Sequence, residues 1–189
     1  MIRDFPRRQF IKLGLAAAAL LALPFGTRAQ TSDPENTLIM ETSVGGPVVI
    51  ALRPDLAPNH VKRIKELVRQ KFYDGLVFHR VIRGFMAQGG DPTGTGSGGS
   101  GQKLNAEFSR EPHRRGTVSM ARTNNPNSAD SQFFICLDDA PHLDGQYTVW
   151  GRVVSGMDVV DRIKKGAPGS GAVDNPDKIV RLRVAADVK

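Results

Sequence analysis

The sequence predicts a mainly β protein, a barrel or sandwich of short strands with two helices suited to plug the ends of a barrel. Three observations carry this reading. Apolar residues fall in many short runs. Those runs are separated by turns rich in Gly, Pro, Asn and Asp. Only two segments of the region after residue 36 repeat their apolar residues at helical spacing. The length of 189 residues suits one ordinary domain, or one domain with a short appendage. No internal repeat and no second domain is visible.

The N-terminus reads as an address. Arg7-Arg8-Gln9-Phe10-Ile11-Lys12 is basic, and Leu13 to Leu23 is wholly apolar or small. A membrane span needs about 20 such residues, so the run is too short. Pro24 and Gly26 end it, and Thr27-Arg28-Ala29 offers small residues at cleavage spacing. This is the order of a secretory signal. Arg-Arg-x-Phe-Ile-Lys resembles a twin-arginine export signal, with Pro6 where such signals prefer Ser or Thr. The expectation is a signal over 1–29, a polar lead-in over 30–36 and one domain over 37–189. That places the protein in the periplasm, with no stable membrane anchor after cleavage. A core helix or an uncleaved anchor is the alternative. No cysteine stands at the cleavage point, which speaks against a lipoprotein.

Charge follows from the same division. The formal net charge is +7, of which residues 1–29 supply +4 and leave +3 for the remainder. The remaining basic residues are interspersed with acids, as on an ordinary solvated surface, so nucleic acid is not an expected partner. The lone cysteine, Cys136, excludes an intrachain disulfide framework and a Cys-rich zinc site.

The elements of the domain follow in order. Leu38 to Thr42 and Val48 to Leu52 read as strands joined by Gly45-Gly46-Pro47, a hairpin. Pro58 suits the first position of a helix, and Val61, Ile64, Leu67, Val68 and Phe72 recur on one face, with Gly75 closing the segment. Strands are expected over Val77 to Ile82, Phe85 to Gln88, Thr117 to Ala121, Phe133 to Leu137 and Thr148 to Val154. Met157 to Lys164 is a second amphipathic helix, and Ile179 to Val184 alternates as a half-exposed closing strand.

Most motifs fail for chemistry. Gly94-Thr95-Gly96-Ser97-Gly98-Gly99 matches G-x-G-x-x-G, but Ser100 to Asn105 does not start a helix and no Gly-Lys-Ser/Thr follows. The stretch Asp91 to Gly101 therefore reads as a flexible surface loop without apolar anchors. His60, His79, His113 and His142 lack metal-ligand spacing, so no metal is expected. No Gly-x-Ser-x-Gly elbow is present. Cys136, inside an apolar strand, reads as a small buried side chain rather than a nucleophile.

Three clusters are less easily dismissed. In Phe78-His79-Arg80-Val81-Ile82-Arg83-Gly84-Phe85-Met86-Ala87-Gln88-Gly89-Gly90-Asp91, Arg80 sits within an apolar run, where a charge needs partners or a purpose. Aromatic, thioether, amide and guanidinium groups at this spacing would make an apolar cup with polar donors at its rim. The other two clusters are Met120-Ala121-Arg122 with Ser131-Gln132-Phe133-Phe134-Ile135, and Leu143 to Gly151.

In this order and spacing the clusters resemble the cyclophilin family of peptidyl-prolyl cis-trans isomerases, from about Leu38 to Val184. The resemblance implies an eight-stranded antiparallel closed barrel capped by two α-helices. It implies that Arg80 is the catalytic arginine and that Gln88 supports it and the substrate backbone. Phe85, Met86 and Phe134, with Leu143 beside them, fall on the proline pocket, and Ala121 and Arg122 on the segment that pairs with substrate backbone. Arg122 stands where the family often has Asn. Tyr147 replaces a histidine of many eukaryotic members, and His142 replaces a tryptophan that eukaryotic members use to bind cyclosporin. Both are carried as substrate-binding positions. The implied partners are proline-containing peptides and unfolded or folding proteins, the implied state is a monomer, and no cofactor or metal is implied. A binding module that keeps the barrel and uses the pocket only to hold Pro-containing segments is the competing class; a basic nucleic-acid-binding barrel is the other.

Overall fold

The computed structural model describes residues 33–188. The export signal expected over 1–29 lies outside the described residues. The first hairpin forms as expected. β1 (Thr37–Thr42) pairs antiparallel with β2 (Pro47–Leu52), Leu38 opposite Ile50 and Met40 opposite Val48. Gly45 and Gly46 both take φ +81°, a left-handed conformation that a side chain would strain, which is what turns the chain here. α1 (Pro58–Arg69) begins on its proline and buries Val61, Ile64, Leu67 and Val68. Four strands follow: β3 (Arg80–Ile82), β4 (Met86–Gly89), β5 (Thr117–Met120) and β6 (Phe133–Cys136). β7 (Val149–Ser155), α2 (Met157–Arg162) and β8 (Ile179–Val184) complete the fold.

All eight strands are antiparallel in one sheet of order β3-β4-β6-β5-β7-β2-β1-β8. α1 packs against β7 and β8, and α2 against β2. The expected closed barrel is slightly overstated: the sheet is a curled half-barrel. β3 is shorter than the run from Val77 suggested, and no ladder joins it to β8. The outer edge of β3 is taken instead by the loop after α2. Val81 N donates to Gly171 O (2.8 Å) and Gly166 N to Val81 O (2.9 Å). Residues ahead of β3 reach the β8 side instead: Val77 bridges Lys178, Phe78 N donates to Asp177 O (2.9 Å), Gly75 N donates to Ile179 O (2.7 Å) and Ile179 N donates to Leu76 O (2.8 Å).

The period of two along a strand places alternate residues on opposite faces, and here both faces are apolar. Val81, Ala87, Phe133 and Ile135 point into the main core with Leu38, Ile50 and Trp150. Met86, Phe134 and Cys136 point the other way and form a second cluster with Leu143 and Ala140, flanked by Ile82, Phe85, Ala121 and Tyr147. Phe133 and Phe134 therefore do different jobs. Trp150 is 1% exposed and meets Phe133 edge-on, ring centroids 5.8 Å apart at 81°. Cys136 is fully buried and burial pushes its thiol up to about 12, as befits a small core side chain.

The loop from Asp91 to Gly101 differs from its expected character. It has polar anchors instead of apolar ones. Asp91, 1% exposed, accepts from Thr93 N (2.7 Å), Thr93 Oγ1 (2.8 Å) and Thr95 N (3.1 Å), and from Gly96 N. Asp130 likewise accepts from Ser100 N and Oγ and from Lys103 Nζ. A Cβ on Gly98 would overlap Asp91 Oδ1, so glycine there lets the carboxylate approach the backbone.

Candidate active site

The second apolar cluster opens into a pocket of about 430 Å³. Phe85, Met86, Phe134 and Leu143 line its apolar side, with Ala121 and Tyr147 next to them. Three elements supply these walls. β4 contributes Met86, β6 contributes Phe134, and the short 3₁₀ turn Pro141–Leu143 contributes Leu143. Proline at the first position of that turn gives it the required φ.

Arg80 stands at the rim. The β3–β4 register puts it directly opposite Gln88, and its Nη1 donates to Gln88 Oε1 at 3.2 Å. Its Nε donates to Ser170 O at 3.1 Å. Among the described residues Arg80 forms no ion pair, so a charge beside apolar walls is left uncompensated. Gln88 Nε2 donates to Gln132 Oε1 (2.9 Å), and Gln132 Nε2 donates to Gly96 O and Gly98 O (both 2.9 Å). A chain of amides thus ties the guanidinium to the loop that Asp91 holds.

The walls are braced from behind by His113. This fully buried ring stacks on Phe134, centroids 6.2 Å apart at 19°. Its Nδ1 meets Asp144 Oδ1 at 3.1 Å and its Nε2 meets Ser119 Oγ at 3.1 Å. Burial lowers its pKa from the usual imidazole value, against the pull of Asp144. Tyr147 lies edge-on to Phe134 (5.7 Å, 83°), and the Arg122 guanidinium sits 4.5 Å above the Tyr147 ring.

Of the ten positions expected at the site, nine line this pocket: Arg80, Phe85, Met86, Gln88, Ala121, Arg122, Phe134, Leu143 and Tyr147. His142 does not. Its exposed ring instead packs on Phe85, centroids 5.3 Å apart and tilted by 39°. Sequence reasoning missed His79, Thr95, Gly96, Ser170 and Ala172, which also line it, and Gln132 behind Gln88. Gln132 had a signal, since it lies two residues before Phe134 and so shares its face. Ser170 and Ala172 had none, because they lie in an irregular loop brought in by β3.

Comparison with known proteins agrees with this architecture. The family described as cyclophilin type peptidyl-prolyl cis-trans isomerase/CLD matches residues 37–184. A probable peptidyl-prolyl cis-trans isomerase of Brucella suis is 55% identical, over 95% of this chain and 99% of its own length. An Arabidopsis thaliana peptidyl-prolyl cis-trans isomerase, CYP18-2, is 40% identical over 83% of this chain and 97% of its own. Among solved structures, the cyclophilin AquaCyp293 from Hirschia baltica superposes with a TM-score of 0.74 at 33% identity, covering 83% of this chain and 76% of that one. A Cryptosporidium parvum cyclophilin type isomerase, crystallised in the presence of the dipeptide Ala-Pro, gives 0.71 at 29% identity, over 78% and 98%. With its family match running from the first strand to the last, this chain belongs to the cyclophilin-type peptidyl-prolyl cis-trans isomerases.

Proposed function

We propose that the chain turns X-Pro bonds at the pocket between Arg80 and Phe134, and that it does so by binding the twisted imide better than either planar isomer. Amide resonance sets a barrier of roughly 18–20 kcal/mol. Rotation removes conjugation, and the imide nitrogen becomes pyramidal and gains a lone pair. A guanidinium aimed at that nitrogen or at the prolyl carbonyl gains most in the twisted state, and this difference is the catalysis. The apolar walls Phe85, Met86, Phe134 and Leu143 hold the prolyl ring and exclude water, which strengthens the Arg80 hydrogen bond. Gln88 keeps the guanidinium in place, and the backbone at Ala121 and Arg122 pairs with the substrate. The scheme needs no nucleophile, no acid-base pair and no cofactor.

The observation that carries this reading is Arg80, an arginine without an ion pair among the described residues, held by an amide at the edge of an apolar pocket. A protease-coupled peptide assay tests it. Wild-type chain should accelerate cis-to-trans conversion of an Ala-Pro peptide. Peptide binding without acceleration would favour a module that only holds Pro-containing segments.

The substrates are proline-containing peptides and folding proteins, met by a monomer in the periplasm after export by the twin-arginine route. The support is Arg7-Arg8 ahead of a modest apolar run. Among the described residues no helix is long and apolar enough to cross a membrane. Arg7→Lys with Arg8→Lys keeps the charge and should block processing; normal periplasmic accumulation of that double variant would end the twin-arginine reading.

A further inference from the structure

We propose that Arg122 makes this site selective for substrates with an acidic side chain beside the proline. The inference rests on the reading that the prolyl ring occupies the pocket beside Phe134.

The charges around the pocket are one-sided. Its lining holds two permanent cations, Arg80 and Arg122, and no carboxylate. His79, the third basic group, is held below its usual pKa by burial, and is therefore neutral at pH 7. Among the described residues neither arginine forms an ion pair. The nearest carboxylate in the adjoining pocket is Asp130, and it is already taken by Lys103 Nζ at 3.2 Å and by Ser100.

Arg122 is also placed to reach a neighbouring residue. A second pocket of about 340 Å³ lies beside the first, and the two share Gln88, Gly96, Ala121 and Arg122. For a peptide seated by its proline in the first pocket, that shared edge is within reach of a residue next to the proline, because successive residues are about 3.8 Å apart.

The guanidinium is pre-set in one orientation. Its Nε and Nη2 donate to Gln146 O (3.0 and 2.8 Å), its Nη1 donates to Thr123 O (2.8 Å), and its plane lies over Tyr147. Phe108, an exposed aromatic, stands 5.9 Å away on the cation's other contact. Carbonyl acceptors orient the group without neutralising it. An arginine has five N–H donors, so one on each Nη is left to meet a ligand. A planar fork with spare parallel donors suits a carboxylate, and an ammonium on the substrate would meet two unshielded cations.

The test measures kcat/KM by NMR exchange on peptides that differ only in Glu, Gln or Lys next to the proline, on either side. NMR exchange avoids the charge preference of a coupling protease. The Gln peptide reports on isomerase activity at this pocket. If wild-type chain fails to turn it over, the underlying reading fails, whatever the charge ratio. If it is turned over, the ratio of Glu to Lys peptides decides the inference, because overall losses cancel in it. At low salt the ratio should be about fivefold at one of the two positions, as for an exposed ion pair of good geometry, and should shrink in about 0.5 M salt. Arg122→Gln should bring it below about twofold, and Arg122→Lys should retain only part of it, because an ammonium keeps the charge but lacks the planar fork. Equal turnover of Glu and Lys peptides at both positions, or an undiminished ratio in a folded Arg122→Gln chain, would overturn the proposal.

Discussion

Arg80 and Gln88 are partners twice over: they stand opposite each other in the β3–β4 register, and the Arg80 guanidinium donates to the Gln88 amide oxygen at 3.2 Å. The backbone ladder fixes the distance between their Cα atoms, so the amide holds the cation without having to be ordered separately. A carboxylate at position 88 would hold it more tightly, but would spend the charge that the twisted imide needs.

Arg80→Ala should lower turnover by about 10²–10³, the usual cost of one donor aimed at developing charge. Peptide affinity should fall much less, since the apolar walls remain. Arg80→Lys should rescue only partly, because an ammonium lacks the planar fork. Turnover, affinity by NMR line shape and Tm on the same variant separate catalysis from folding. Near-normal turnover in a folded Arg80→Ala chain would end the mechanism drawn above.

Gln88→Ala should cost about tenfold in kcat, the worth of one hydrogen bond to a charged group. Its effect should vanish in the Arg80→Ala background, because a group that acts through the guanidinium has nothing left to position. Additive losses in the double variant would mean that Gln88 works independently of Arg80.

Gly98→Ala should destabilise the chain by about 1–3 kcal/mol, through backbone displaced from Asp91. Activity of the folded fraction should fall as well, because Gln132 reaches Gln88 from the carbonyls of Gly96 and Gly98. Urea titration with the same assay checks both. Unchanged stability would show that Asp91 does not hold this loop.

Stability should fall in two acid steps. Burial keeps His60 and His113 below the usual imidazole pKa. The unfolded chain then binds their protons first, so this contribution is full above about pH 6.5 and is lost as pH falls below it. Ser119 Oγ gives its one proton to Thr148 O (2.8 Å) and so accepts from His113 Nε2, and it is burial of the ring that disfavours its charge. Asp91 behaves differently. Burial alone would raise its pKa, but the Thr93, Gly98 and Gly96 donors outweigh this and bring it to about 2. Its contribution is present above the ordinary carboxylate value and fades only as pH falls toward about 2. Tm measured from pH 7 to 3 on wild type and His113→Gln should show the first step shrink in the variant.

Cyclosporin should bind weakly. The exposed His142 ring lies on Phe85 outside the pocket lining, and imidazole offers a smaller apolar face than indole. Loss of one good hydrogen bond and some contact costs roughly 1–3 kcal/mol, or about one to two decades in affinity. Titration of activity with the drug tests this, and nanomolar inhibition would show that another residue compensates.

The eight strands and both helices were legible along the chain because their apolar residues keep the period of the element they form. Val61, Ile64, Leu67 and Val68 repeat as a helix face does, and β1 and β2 alternate around an unmistakable glycine turn. Nine of the pocket residues were legible as well, because the clusters Phe78 to Asp91, Met120 to Arg122 with Ser131 to Ile135, and Leu143 to Gly151 carry the order and spacing that resemble the cyclophilins, and the resemblance implied their roles position by position. What the sequence could not state was depth and partnership. Asp91 and Asp130 look like ordinary loop acids until the fold buries them at 1% and 5% exposure and turns backbone N–H groups toward them. Ser170 lies 90 residues from Arg80, and only the loop laid along β3 makes its carbonyl an acceptor for that guanidinium. Local periodicity is set by bonds between neighbours in the chain, so it can be read from the chain. Where a carboxylate ends up, and which edge of a sheet is left open, depend on contacts between residues far apart in sequence, and only tertiary packing decides them.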